Sequence, residues 1–539
     1  MSRLKKYSFI VLLVVLVVFA ASWFAGRVQA KSDNAFKSFS LFMDVVAKVR
    51  DNYVDEIDVD QLVDDAIRGM LLSLDPHSQY LTPSDYTTLK IDTQGSYGGL
   101  GIVIGVRDGF LTVVSPMEGT PASRMGIRSL DKVVAIDGQT TDGLSLDDAV
   151  SKMRGPKGTQ VTLSIVREGV DKPIDFTLTR EVIQVKSIPY AFATPDSIGY
   201  VRVAHFSETT DANLEKALRG LESEHIRGLV IDLRRNPGGL LTEGIAVSES
   251  FVPKGDLVVS TRGRVPIQNA NYYSNSQKVH DGYPIVVLVD GGSASASEIV
   301  AGALQDLDLA VLVGERTFGK GSVQSVFPLR DGAALKLTTA KYFTPSGRCI
   351  HAEDKRPAIR NAGDIKIGKQ PEEKRPEYKT AMGRIVYGGG GITPDVTVSL
   401  PKLSAIAENL ERNLMFYKFA GDYLGKHKDI KVESFKTSPA LTGEFKKFLK
   451  DKKFEYQDKD FDADRDYISR AISREIVSQL GGEEAAFKVY IQGDPQVQTA
   501  FQLLNKAHSR AELFKVAAAM PAPKEKSAEA SSHAEALTE

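Results

Sequence analysis

The chain has 539 residues, 42% of them hydrophobic and 25% charged, with a formal net charge of −1 at neutral pH. That length exceeds one ordinary core and predicts about three domains, while the balanced charge removes any electrostatic case for a nucleic acid partner. The single cysteine, Cys349, excludes an intramolecular disulfide and any CxxC metal or redox site.

Arg3, Lys5 and Lys6 precede an uncharged run from Tyr7 to Gly26 dominated by Val, Leu, Phe and Ala. Basic residues ahead of an apolar stretch describe an export signal, here residues 1–30, and Val28-Gln29-Ala30 offers a cleavage site. The run is also about long enough to span a bilayer, which takes ~20 apolar residues. Cleavage and retention as a membrane anchor therefore both stay open. In either case the body of the protein is expected outside the cytoplasmic membrane, in the periplasm or secreted.

Residues 31–95 are expected to be a helical region: Phe39, Phe42, Val45, Val46 and Val49 recur at helical steps, as do Leu62, Ala66 and Met70. From Ser96 to about 185 the pattern turns to short strands. Tyr97-Gly-Gly-Leu-Gly-Ile-Val-Ile leads into one, Phe110–Val114 follows an Asp-Gly turn, and Val161–Val166 and Ile174–Leu178 close the set. Ser145 with Asp148 predicts one capped helix between them. Residues 186–400 alternate apolar strands, among them 228–233, 284–289 and 310–313, with helices over 211–221 and about 295–305. Continuous Val/Ile/Leu runs suit strands buried on both faces, which predicts an α/β core. Residues 352–384 read as a charged, irregular insertion, 401–520 as a charged helical region, and 521–539 as a disordered tail.

Gly314-x-x-x-x-Gly319-Lys320 is one letter short of a nucleotide-binding P-loop, with Gly321 where Ser or Thr is needed. The sequence after Lys320 is β-rich and carries Pro328, which would interrupt the helix a phosphate loop requires. Upstream, Val289-Asp-Gly-Gly-Ser-Ala-Ser-Ala-Ser-Glu reads as strand, glycine turn, serine cluster and helix start. Such a turn can present a hydroxyl beside free helix amides. Ser295 and Glu298 also form S-x-x-E, so Ser295 is equally readable as an N-cap. A serine hydroxyl needs a base, and a lysine kept neutral by burial can serve. No histidine sits in a serine–histidine signature and HExxH is absent, so no metal or cofactor is expected.

Together these segments resemble the carboxyl-terminal processing proteases, tail-specific serine peptidases with a PDZ domain. The likeness covers roughly 36–350 and rests on Leu74-Asp-Pro-His-Ser, a PDZ-like module, Asp232-Leu-Arg-Arg-Asn-Pro-Gly-Gly, Ser293-Ala-Ser-Ala-Ser-Glu and Thr317-Phe-Gly-Lys-Gly-Ser-Val-Gln. Further matching text stands at Gly391-Ile-Thr-Pro-Asp-Val. The resemblance implies a PDZ-like β module inserted before an α/β serine-protease core, flanked by helical regions. It further implies Ser295 as nucleophile, Lys320 as base and Gln324 as the residue orienting the lysine. Oxyanion donors would be the amides of Ala296 and Gly238, whose bland readings are a helix start and a tight turn. The loop Leu100-Gly101-Ile102 would capture a substrate's C-terminal carboxylate, unless it is an ordinary turn. Ser129-Leu130 stands where the family often has Pro-Gly. The alternative function is a non-catalytic PDZ scaffold binding protein tails, and the helical regions could serve self-association or an adaptor.

Overall fold

The strands of the expected α/β core carry unbroken apolar runs because each face of the sheet meets its own layer of helices. In this computed structural model, residues 36–107, 109–167, 170–277, 279–352, 375–432, 435 and 438–520 are described. The expected export segment, residues 353–374 of the expected insertion and the tail from 521 lie outside them. Among the described residues no helix is long and apolar enough to cross a membrane.

The core sheet runs in the order Tyr190–Ala193, Ile198–Arg202, Gly228–Asp232, Ile285–Val289, Val311–Gly314, Val396–Thr397. The first pair is antiparallel and the rest are parallel. Side chains alternate across it. Leu229, Ile231, Ile285, Val287 and Leu312 pack with Leu214, Leu218, Val300 and Leu304 from the helices Thr210–Ser223 and Ala296–Asp306. Val230, Val286, Leu288, Val311 and Val313 face the opposite way, onto Val497, Leu503, Leu504 and Leu513 of the helices Pro495–Lys506 and Arg510–Ala518. Burial of each such side chain is worth about 1.5–3 kcal/mol, so two-sided packing explains why no polar alternation shows in the sequence.

The last two helices thus belong to the protease sheet. The rest of the C-terminal helical region, Ala405–Arg412 through Arg465–Tyr490, closes around its own aromatic core of Phe416, Phe419, Phe445, Phe448 and Phe461. Arg234, just past the strand Gly228–Asp232, ties the docking helix to the sheet. Its guanidinium pairs with buried Asp232 at 2.8 Å and with Asp494 at 2.7 Å, and Asp494 caps the helix by accepting from the Gln496 and Val497 amides.

The PDZ-like module is a sheet ordered Ile102–Arg107, Phe110–Pro116, Lys132–Ile136, Gln160–Val166, Ile174–Thr179, with Ser96–Gly99 paired separately to Glu181–Gln184. Its helix, Leu146–Met153, buries Ala149 and Met153 against Val133 and Leu163. Ser145 caps it conventionally, with φ −67°, accepting the Asp148 amide at 3.1 Å. Leu130, in the Ser-Leu pair, sits at φ 70°. A glycine adopts that conformation freely and a leucine does not, so the family's glycine has a backbone reason. Where the chain enters and leaves the module, Val185 N–H donates to Gly95 O, and Glu208 N–H of the core donates to Thr93 O of the preceding helix, both at 2.9 Å.

Residues 36–82, with Val326–Leu337, form a separate compact unit. In it, the expected helices span 36–52 and Val59–Leu72, and Gln79–Leu81 pairs antiparallel with 334–336. The Leu74-Asp-Pro-His-Ser segment is a turn in which Asp75 accepts the His77 and Ser78 amides, each at 2.8 Å. Phe39, Phe42 and Val45 are exposed here, so that apolar stripe is not core within the unit. The expected insertion is also not wholly irregular: Glu377–Lys379 pairs with Ile385–Tyr387, and Arg375 is buried with bonds to Gly389 O and Thr393 Oγ1.

Candidate active site

The carboxyl ends of the parallel strands hold the serine turn. Asp290, one residue beyond its strand, accepts the amides of Gly292 at 2.9 Å and Arg235 at 2.8 Å, locking two loops together. Of the three serines that follow, Ser293 donates to Leu233 O at 2.8 Å and Ser297 to Asn236 O at 2.9 Å, and both are fully buried. Their hydroxyls are committed to the scaffold. Ser295, half-buried between them, has φ 55° and ψ −114°. The expected S-x-x-E capping box is formed, yet an N-cap residue usually takes extended angles, as Ser145 does, so Ser295 is held in a conformation beyond what capping calls for.

Glu298, completely buried in the first turn of the helix, is what holds it. Its Oε2 accepts the amides of Ser295 and Lys320, each at 2.9 Å, while its Oε1 accepts the Gly319 amide at 2.8 Å and the Thr317 hydroxyl at 2.5 Å. Burial pushes this carboxyl up to about 7, against the pull of those four donors. The S-x-x-E spacing is real, but its glutamate reaches across to a second loop as well as back to its own helix. Sequence reasoning saw a cap partner and missed that bridge. Tyr342, also buried, donates to the Ser295 carbonyl at 3.1 Å, and Phe318 N–H donates to Ser293 O at 3.0 Å.

Lys320 is half-buried and leads into the strand Ser322–Pro328. No helix follows it, so the P-loop reading fails on structure. Gly319, at φ 91°, packs so closely on Gly391 that a β-carbon would lie 2.8 Å from the Gly391 amide nitrogen, and Ile392 N–H donates to Thr317 Oγ1 at 2.7 Å. The Gly391-Ile-Thr-Pro-Asp-Val segment is thereby the floor of the lysine loop. Gln324 turns its amide nitrogen to Ser322 Oγ at 2.9 Å and Thr338 Oγ1 at 3.3 Å.

Gly238 lies against the serine turn: at φ 96°, a β-carbon there would come within 2.7 Å of Ser295 Cβ and 2.9 Å of the Ala296 nitrogen. Its N–H donates to Asn236 Oδ1 at 2.9 Å. Ala296 opens the helix, so its N–H has no carbonyl within the helix to meet. In the PDZ-like module, Leu100 and Gly101 have their carbonyls taken by Ala122 and Met117 amides, at 3.0 and 2.8 Å. Ile102 begins the strand at the edge of its sheet among the described residues, the place where a further strand can be added.

A sequence profile for peptidase family S41 matches residues 197–360 and one for the PDZ domain matches 112–167. Two others match the helical ends: a C-terminal helical domain of a probable PDZ-protease at 406–459 and 455–504, and the N-terminal domain of activating protease CtpB at 23–84. A carboxy-terminal-processing protease of Bartonella bacilliformis is 42% identical over 372 residues, covering 68% of this chain and 83% of the relative. The chain belongs to the carboxy-terminal processing proteases of peptidase family S41. It is a serine peptidase carrying a PDZ domain. Carboxy-terminal processing protease CtpA of Bacillus subtilis is 32% identical over 453 residues, covering 82% of this chain and 93% of its own length. The solved structure of a photosystem II D1 C-terminal processing protease aligns with 28% identity and a TM-score of 0.36, covering 67% of this chain and 92% of that one.

Proposed function

We propose that this carboxy-terminal processing protease is an exported endopeptidase in which Ser295 attacks the peptide carbonyl and Lys320 moves the proton. The observation that carries this reading is the single Glu298 oxygen that receives the amides of both residues, fixing two loops 25 positions apart in sequence at one point. Neutral Lys320 accepts the Ser295 hydroxyl hydrogen as the Oγ–carbon bond forms. The oxyanion is held by the Ala296 amide and by that of Gly238, which exchanges Asn236 for it. When the C–N bond breaks, the lysine ammonium returns its proton to the leaving amine, and a water activated by the same lysine then hydrolyses the acyl ester. Gln324 orients Lys320 by moving its amide away from Ser322.

Substrate selection is assigned to the PDZ domain. A polypeptide's free C-terminal carboxylate meets the amides of Leu100-Gly101-Ile102, and its last residues add a strand to Ile102–Arg107. The basic and apolar N-terminus supports export, with the catalytic body in the periplasm and the apolar run either cleaved or kept as an inner-membrane anchor.

The test is cleavage of an unstructured labelled peptide with a free or an amidated C-terminus. Ser295→Ala and Lys320→Ala, each folded by its melting profile, are expected to abolish turnover, and amidation to lower it at least tenfold. Undiminished turnover by either folded variant refutes the dyad, and equal cutting of both peptides refutes carboxylate capture.

A further inference from the structure

Arg235 precedes the Asn236-Pro-Gly turn and is held at φ 53°. A residue with a β-carbon adopts that conformation at a cost, and such strain gathers where a side chain has to be aimed. Its amide is pinned by Asp290, and its exposed side chain lines a cavity of about 550 Å³ together with Lys402 and Arg470.

The acids lining the same cavity are mostly engaged. Glu411 is bridged to Arg474 at 3.0 Å and accepts from the Tyr467 hydroxyl at 2.7 Å, while Asp494 is committed to Arg234 and its helix cap. Asp464 accepts from the Ser404 hydroxyl. Arg235, Lys402 and Arg470 have no carboxylate partner among the described residues. Asp464 keeps its charge, and the three cations outnumber it, so the cavity is net positive.

Its position is at the carboxyl end of the parallel sheet, where ligands of such sheets are met, on the face covered by helix Pro495–Lys506. The Arg235 backbone touches the serine turn, since a β-carbon on Gly292 would lie 2.9 Å from Arg235 Cα. Arg235 thus links the cavity to the loop that carries Ser295.

We propose that Arg235, Lys402 and Arg470 form an anion-accepting subsite that receives acidic side chains of the polypeptide substrate next to the scissile bond. The proposal rests on Ser295 being the nucleophile. Guanidinium forks match carboxylates in two-point geometry, and 550 Å³ is room for more than one side chain. Because the cations are exposed, they discriminate among substrates and speed encounter more than they tighten binding. The subsite is separate from the PDZ loop: one reads the terminal carboxylate, the other the body of the chain.

Three peptides with one shared free C-terminal tail, and Glu, Gln or Lys residues upstream of it, test this. The wild-type protein is expected to give kcat/KM in the order Glu, Gln, Lys, with about tenfold between the extremes, the scale of a few exposed charge pairs. High salt should compress that range. The double variant Lys402→Glu, Arg470→Glu, changed only at exposed positions, is expected to invert the order. Arg470→Gln alone should narrow the range without inverting it. Equal rates for the three peptides, or a Glu-to-Lys ratio identical in wild type and variants, overturns the subsite. Ser295→Ala run alongside separates the two readings: cleavage by that variant defeats the nucleophile assignment, whereas an inactive Ser295→Ala with an unmoved charge ratio defeats the subsite alone.

Discussion

Replacing Glu298 with Gln removes one charge and almost no volume, so its effect isolates what the carboxylate does. Four donors converge on two oxygens, two on each. In the variant, one oxygen becomes an NH₂ that faces two donors. The less costly orientation puts it toward Thr317, whose hydroxyl can turn and accept, leaving the Gly319 amide as the orphan. One buried unsatisfied donor costs about 1–3 kcal/mol. The lysine loop is then the part released, and a shift of even 1 Å in a reacting group can lower turnover roughly a hundredfold. We expect kcat to fall by between about 10- and 100-fold with KM little changed, because the PDZ edge strand is untouched.

The pH dependence of stability gives the second readout of the same variant. The Glu298 carboxyl rises from 4.5 to about 7 on burial, so between those values the native state holds a proton that the unfolded chain releases, and above about 7 the four donors meet a carboxylate. Stability from this group is therefore present below the unfolded value and is lost as pH rises through about 7, on the order of 3 kcal/mol in all. Glu298→Gln has no such loss. Melting temperatures of the two proteins at several values from about pH 5 to pH 8 should show the variant gaining on wild type as pH rises. Wild-type kcat in the variant, with parallel melting curves across that range, would refute the argument.

Gly238→Ala must fit a β-carbon 2.7 Å from the Ala294 oxygen and from Ser295 Cβ at a positive φ. Overpacking of that kind costs about 1–3 kcal/mol; we expect peptide turnover to drop more than about tenfold, and near-normal activity would show the turn is not coupled to Ser295. His280 lies between Glu222 at 2.6 Å and Glu215 at 2.8 Å; burial opposes its protonation, but the two carboxylates outweigh that and raise it. Its contribution is full below the unfolded histidine value of about 6.5 and lost as pH rises through the raised folded value. The melting-temperature gap between wild type and His280→Gln should shrink from about pH 6 to pH 9, and a constant gap would contradict the pairing. Leu130→Asn relieves a left-handed leucine at φ 70°, with an expected gain of about 1 kcal/mol; an unchanged or lower melting temperature would mean that Leu130 packing outweighs its backbone strain.

Much of this arrangement was legible because each part has a local cause. Gly228–Asp232 and Ile285–Val289 are buried on both faces, which leaves unbroken apolar runs, and Ser145 caps its helix with ordinary angles. Other parts depend on which surface an element meets, and periodicity does not carry that. The helices Pro495–Lys506 and Arg510–Ala518 read like the helices before them, yet they form the second layer of the protease sheet. The Phe39, Phe42 and Val45 stripe reads like core and is exposed. The pair Glu377–Lys379 and Ile385–Tyr387 hid in a charged stretch because three-residue strands are too short for alternation to register.

Glu298 is the instructive case, since its motif was read and its task was not. A capping box asks a glutamate to reach back to the N-cap amide, and Glu298 does so. A cap at the surface would need nothing more. This carboxylate is fully buried, and a buried charge is tolerated only when its acceptor positions are filled. The donors available to fill them are Thr317, Gly319 and Lys320, so the need to satisfy one charge draws the lysine loop onto the serine helix. The helix cap and the closure of the site are then one interaction, and any substitution that spares the cap but not the charge should part the two loops.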